Sequence, residues 1–73
     1  MPCVSPDGKP TESGLGMLRA LKEGRTSAEA IAAAADMPLY RVRSGLRDLT
    51  EAGYVSESDG SYSLTEQGTD AVP

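Results

Sequence analysis

The feature that most constrains this 73-residue chain is a change of period at Gly53. Before it, apolar side chains recur three and four residues apart, the spacing of helices with one buried face; after it they alternate, as in strands with one buried face. The alternating part consists of Tyr54-Val55-Ser56-Glu57-Ser58 and Ser61-Tyr62-Ser63-Leu64-Thr65, separated by Asp59-Gly60. Asp-Gly suits a type I′ turn, whose two central residues both take positive φ. That turn sets Val55 opposite Leu64 and Glu57 opposite Tyr62, with both pairs on one side of the ladder. The pattern predicts helices followed by a half-buried hairpin.

Three helices precede the hairpin. Thr11 stands where an N-cap hydroxyl belongs, and Leu15, Leu18 and Leu21, with Met17 beside them, form the first apolar stripe, closed by Gly24. Thr26-Ser27-Ala28-Glu29 matches a capping box in which the Thr26 hydroxyl takes the N3 amide and the Glu29 carboxylate reaches back. The helix it starts runs through Ile31 and Ala32 to Ala35, and Asp36-Met37-Pro38 breaks it. The third helix begins at Pro38 or Leu39 and runs to Ala52, with Leu39, Val42, Leu46 and Leu49 on one face and Gly53 closing it. Gly45 beside that stripe costs about 1 kcal/mol relative to Ala, so a packing reason is expected: backbone contact with the alanine-rich second helix. Thr65-Glu66-Gln67-Gly68 caps a last short helical turn. The expected core is Leu15, Leu18, Leu21, Ile31, Val42, Leu46, Leu49, Val55 and Leu64. Ahead of Thr11, Pro2, Pro6, Pro10 and the turn sequence Ser5-Pro6-Asp7-Gly8 read as a flexible leader arm, 1–10, with the folded domain over 11–73.

Composition narrows function. With no His and a single Cys, the chain has no disulfide, no Cys/His zinc set and few ways to build a nucleophile and base pair, so no enzyme activity, metal or cofactor is expected. Cys3 reads as an ordinary free thiol in the arm, Asp48 and Glu51 as solvated surface, and Tyr54 and Tyr62 as hairpin packing. No apolar run reaches the ~20 residues that span a bilayer, and the N-terminus lacks the pattern of a signal peptide; the expectation is a cytoplasmic protein with no membrane partner.

The formal net charge of −4 argues at first against nucleic acid. Locally the balance reverses, because Pro38 to Arg47 holds three Arg and no acid. The side of the third helix away from its apolar stripe carries Tyr40, Arg41, Arg43, Ser44 and Arg47, and Arg takes phosphates or guanine edges bidentately. The bland alternative is a solvated face in which Arg47 pairs with Glu51 and Arg43 with nearby acids. The hairpin offers only Ser56, Glu57, Ser58, Asp59, Ser61 and Ser63, an acidic surface suited to a protein partner.

Three helices and a hairpin, with a turn of a few residues between the second and third helices, resemble a winged helix-turn-helix. Thr26-Ser27-Ala28-Glu29-Ala30-Ile31-Ala32, Met37-Pro38-Leu39-Tyr40-Arg41-Val42, Leu46, Leu49, Glu51-Ala52-Gly53-Tyr54-Val55 and Leu64-Thr65-Glu66-Gln67-Gly68 are similar, in the same order, to the MarR-like and ArsR-like transcriptional regulators. The resemblance implies a mainly α fold with a small β-hairpin, a three-helix core plus a two-stranded wing. It implies a small DNA-binding transcriptional regulator that inserts its third helix, about 39–52, into the major groove of double-stranded DNA. The family's groove-facing positions fall on Tyr40, Arg41, Arg43, Ser44 and Arg47, the face that periodicity leaves exposed. Two departures stand out. Family wings carry Arg or Lys near the tip and this one does not, and MarR-like dimers use long flanking helices, so a homodimer of this chain is expected to use another surface. The alternative is a winged-helix protein-protein interaction module that does not bind DNA, with its partner on the acidic wing.

Overall fold

A computed structural model describes residues 3–72. Met1, Pro2 and Pro73, which the sequence reading places in the leader and at the end of the domain, lie outside the described residues. The order is α1 (Glu12–Lys22), α2 (Ala28–Ala35), α3 (Leu39–Glu51), β1 (Val55–Ser58), β2 (Ser61–Leu64) and α4 (Glu66–Ala71). This is the expected mainly helical chain with one antiparallel hairpin, the architecture of a winged helix-turn-helix.

Local chemistry explains most boundaries. The Thr11 hydroxyl accepts from the Gly14 amide at 3.3 Å to start α1, and Gly24, at φ 102°, takes the left-handed position after its end. α2 closes on Asp36, itself left-handed at φ 55°. α3 begins after Pro38, whose carbonyl accepts from the Arg41 and Val42 amides at 3.1 and 3.2 Å. The hairpin register is Val55↔Leu64, Ser56↔Ser63, Glu57↔Tyr62 and Ser58↔Ser61. Asp59 and Gly60 turn it at φ 51° and 82°, as a two-residue turn that matches the strand twist requires. The Thr65 hydroxyl accepts from the Gly68 amide at 3.1 Å and donates to the Gly53 carbonyl at 2.6 Å. One side chain thus starts α4 and ties it to the end of α3.

The capping box is displaced by one residue. Ser27, not Thr26, caps α2, its hydroxyl accepting from the Ala30 amide at 3.1 Å. Thr26 lies outside the helix because its carbonyl accepts from the Tyr62 amide at 2.8 Å. This bond docks β2 onto the α1–α2 connection, so a tertiary contact sets the helix start.

α1 packs on α2, α3, β2 and α4, and α3 packs on α2 and β1. Met17, Leu18, Ile31, Val42, Leu46 and Leu49 are fully enclosed. Of the expected core, Leu15 and Leu64 are only half-buried at its edge, while Met17, Ala20, Ala28, Tyr54, Val72 and Cys3 belong inside it.

In the described part of the leader, residues 3–10, the chain closes into a loop against the domain. Val4 bridges Pro10, the Thr11 amide donates to the Cys3 carbonyl at 2.9 Å, and the Tyr54 hydroxyl donates to the Gly8 carbonyl at 2.8 Å. At its tip the Ser5 hydroxyl and the Lys9 amide donate to the Asp7 carboxylate and hold its pKa below the ordinary value. The loop places Cys3, 3% exposed, in the core. Gly14 and Gly45 make the room, since a Cβ on Gly14 would overlap the Cys3 carbonyl and one on Gly45 the Cys3 thiol and the Met17 methyl. The close approach at Gly45 is therefore to the leader and α1, not to α2.

Candidate nucleic-acid interface

α3 has two chemically distinct sides. Val42, Gly45, Leu46 and Leu49 are buried against the core, and a helix of 3.6 residues per turn then turns the intervening residues outward. Tyr40, Arg43, Ser44 and Arg47 are exposed, and Arg41 is half-buried at the edge of the same surface. Tyr40, at 74% exposure, is the exposed large hydrophobic side chain among the described residues. All five predicted residues thus lie on one element, Arg41 more enclosed than the rest.

Three open grooves run along this surface. Tyr40 and Ser44 form a ridge, with Arg41, Gly45 and Asp48 on one side and Leu39, Arg43 and Arg47 on the other. Where α3 meets the wing, Arg43, Arg47, Thr50 and Glu51 face Glu57 and Tyr62 across a third groove. Cations, a phenol and a hydroxyl are thereby presented together on a 13-residue helix, about 20 Å long at 1.5 Å per residue. An α-helix fits the major groove of duplex DNA, where guanidinium and hydroxyl groups are the side-chain types that contact phosphates and base edges.

The expected acids do lie near these arginines, and the fold supplies those from other elements that helical spacing does not identify. Arg43 pairs with Glu29 of α2 at 4.0 Å. Both side chains are largely exposed, so the pair contributes at most about 1 kcal/mol and yields readily to a phosphate. Asp48 shares the groove of Arg41, and Glu51 and Glu57 share the groove of Arg47. Only the Glu51 neighbour is legible from i,i+4 spacing; Glu29 and Glu57 belong to other elements. The Glu57 carboxylate also accepts from the Gly60 amide at 2.8 Å.

Among the described residues, no group of three or more His, Cys, Asp or Glu side chains could hold a metal ion. No described helix is long and apolar enough to cross a membrane.

A family model described as winged helix-turn-helix matches residues 13–72. No curated protein matches the chain. Among solved structures, the chain is similar to an O-methyltransferase (NcsB1) from neocarzinostatin biosynthesis in complex with S-adenosyl-L-homocysteine. The identity is 28% and the TM-score 0.74, over 82% of this chain and 20% of that one. The same enzyme in complex with S-adenosylmethionine and 2-hydroxy-5-methyl naphthoic acid gives 28% identity and a TM-score of 0.74, over 82% of this chain and 19% of that one. The chain therefore spans about a fifth of the length of the methyltransferase it matches.

Proposed function

The chain belongs to the winged helix-turn-helix family, and from that premise we propose that it is a small DNA-binding transcriptional regulator acting in the cytoplasm. α3 enters the major groove of double-stranded DNA. Arg41, Arg43 and Arg47 take phosphates or guanine edges, and Tyr40 and Ser44 supply hydrogen bonds and base contacts. The observation that carries this reading is the α3 surface itself, with Tyr40, Arg43, Ser44 and Arg47 all exposed on the side opposite the buried stripe. Within the family we favour kinship with the MarR-like and ArsR-like regulators, whose order of motifs the chain shares. The reading assigns the chain no catalysis of its own.

If each of the three arginines neutralises one phosphate, the salt slope is about −3 per protomer. A single protomer then binds weakly, and specific recognition uses two protomers on a two-fold related site. An amide chemical-shift titration with mixed-sequence duplex at low and moderate salt tests the proposal. Shifts are expected over residues 39–47, lost in the Arg41→Ala/Arg47→Ala double variant. Shifts confined to the wing and leader, with 39–47 silent, would defeat it.

A second reading draws on two observations: the acidic wing, and a similar fold within an O-methyltransferase chain about four times as long. In it the domain is a protein-interaction module whose wing docks a partner. Such a module is indifferent to the arginine substitutions.

A further inference from the structure

The wing turns an acid toward α3. Glu57 pairs with Tyr62 across the ladder, and the two form the wing wall of the groove that holds Arg43 and Arg47. The carboxylate and the strand beside it are each tied down by one bond. The carboxylate accepts from the Gly60 amide at 2.8 Å, and the strand is anchored by the Tyr62 amide on the Thr26 carbonyl at 2.8 Å. Glu57 therefore stands on a braced hairpin and not on a loose tip. It also occupies the Gly60 amide, a wing-tip donor that would otherwise suit a phosphate oxygen. Between Val55 and Leu64 there is no Lys or Arg to offset it.

Resting on the reading of α3 as the DNA-binding helix, we propose that Glu57 is a specificity-determining residue. Its carboxylate competes with DNA phosphates for Arg43 and Arg47 and closes the wing-tip amide to them. Sequence-independent affinity comes from phosphate contacts, whereas base-edge contacts discriminate. An acid placed among the phosphate-seeking groups lowers the first while leaving Tyr40, Arg41 and Ser44 to supply the second. It is a repulsive element that suppresses binding to the wrong duplex.

The test is a fluorescence-anisotropy titration of a mixed-sequence duplex at about 50 and about 200 mM salt, the range over which phosphate-driven binding changes steeply. It uses the full chain, Glu57→Gln, Glu57→Lys and Arg43→Ala/Arg47→Ala, the last with and without Glu57→Gln. Glu57→Gln keeps an acceptor for the Gly60 amide and removes only the charge; matching thermal melts confirm that the wing is intact. It is expected to tighten binding about threefold at the lower salt, and Glu57→Lys, by adding one phosphate contact, to steepen the salt slope by about 0.9. The gain from Glu57→Gln is expected to vanish once both arginines are gone. If Glu57→Gln and Glu57→Lys bind as the unmodified chain does, while the arginine variant binds more weakly, the inference falls and the DNA reading stands. A gain of equal size with the arginines absent also overturns it, because the charge then acts without them. If no variant binds duplex at all, the DNA reading falls and takes the inference with it.

Discussion

The Cys3 thiol lies against the backbone of Gly45, filling with the Met17 methyl the space that a side chain at position 45 would take. This contact joins the leader loop to the buried side of α3, and so to the helix that carries Tyr40, Arg43 and Arg47. The positions are distant in sequence, and the fit depends on both being small.

Gly45→Ala therefore sets two effects in opposition. Ala gains about 1 kcal/mol in helix propensity, while overpacking an enclosed site costs about 1–3 kcal/mol. The net expectation is a loss in chemical denaturation, since the neighbours Cys3 and Met17 are 3% and 0% exposed. Cys3→Ala vacates the space, so Gly45→Ala is expected to cost markedly less in the Cys3→Ala background. Strictly additive effects would show that the thiol does not set the limit.

Gly16 and Gly68 respond in opposite directions. A Cβ on Gly16, inside α1, meets nothing within 4 Å, so Gly16→Ala is expected to stabilise by about 0.5–1 kcal/mol. A Cβ on Gly68 overlaps the Tyr54 carbonyl and crowds Leu64, and a backbone group retreats less easily than a side-chain tip. Gly68→Ala is expected to destabilise by about 2 kcal/mol or more. Thermal melts of the two variants decide it.

The shifted cap makes a sharp comparison. Ser27→Ala removes the hydroxyl that accepts from the Ala30 amide and is expected to cost about 1 kcal/mol. Thr26→Ala keeps the carbonyl that accepts from Tyr62 and is expected to stay within about 0.5 kcal/mol. The reverse order would restore the cap to Thr26.

Burial raises the Cys3 thiol pKa above its ordinary 9.0, Asp48 adds to the rise and Arg41 opposes it in part. In the unfolded chain the thiol loses its proton at the ordinary value, whereas in the fold it holds the proton to higher pH. The unfolded state thus binds fewer protons in the window above 9.0, and stability falls as pH rises through it. Urea titrations at about pH 8 and about pH 10 are expected to show a loss in the unmodified chain that is smaller in Cys3→Ala. A thiol reagent is expected to react with Cys3 only as the leader opens; immediate reaction in the native state would contradict the burial.

Much of the fold is legible in short stretches of sequence. The 3-4-3 spacing of Leu39, Val42, Leu46 and Leu49 orients α3, and Asp59-Gly60 sets Val55 against Leu64 without reference to the rest of the chain. The leader's contacts are not legible in this way, because its Pro, Gly and Ser residues carry no period while Tyr54 reaching Gly8 and Cys3 entering the core join distant positions. The candidate site divides in the same way. The five α3 residues follow from helical phase, but the half-burial of Arg41 and the presence of Glu29 and Glu57 beside the arginines do not, because those neighbours arrive on other elements.

What the sequence determines by itself is therefore local: which segments are helix or strand, where most caps and the turn fall, and which side of α3 is apolar. These follow from side-chain period, φ preference and hydroxyls three residues from an amide, all settled within a few positions. The tertiary structure alone decides that Cys3 rests on Gly45, that Thr26 gives its carbonyl to Tyr62 and leaves the cap to Ser27, and that Glu57 faces the arginines of α3. Each of these joins residues on separate elements, and such pairs are set by how the elements close on a shared core, which no local pattern encodes.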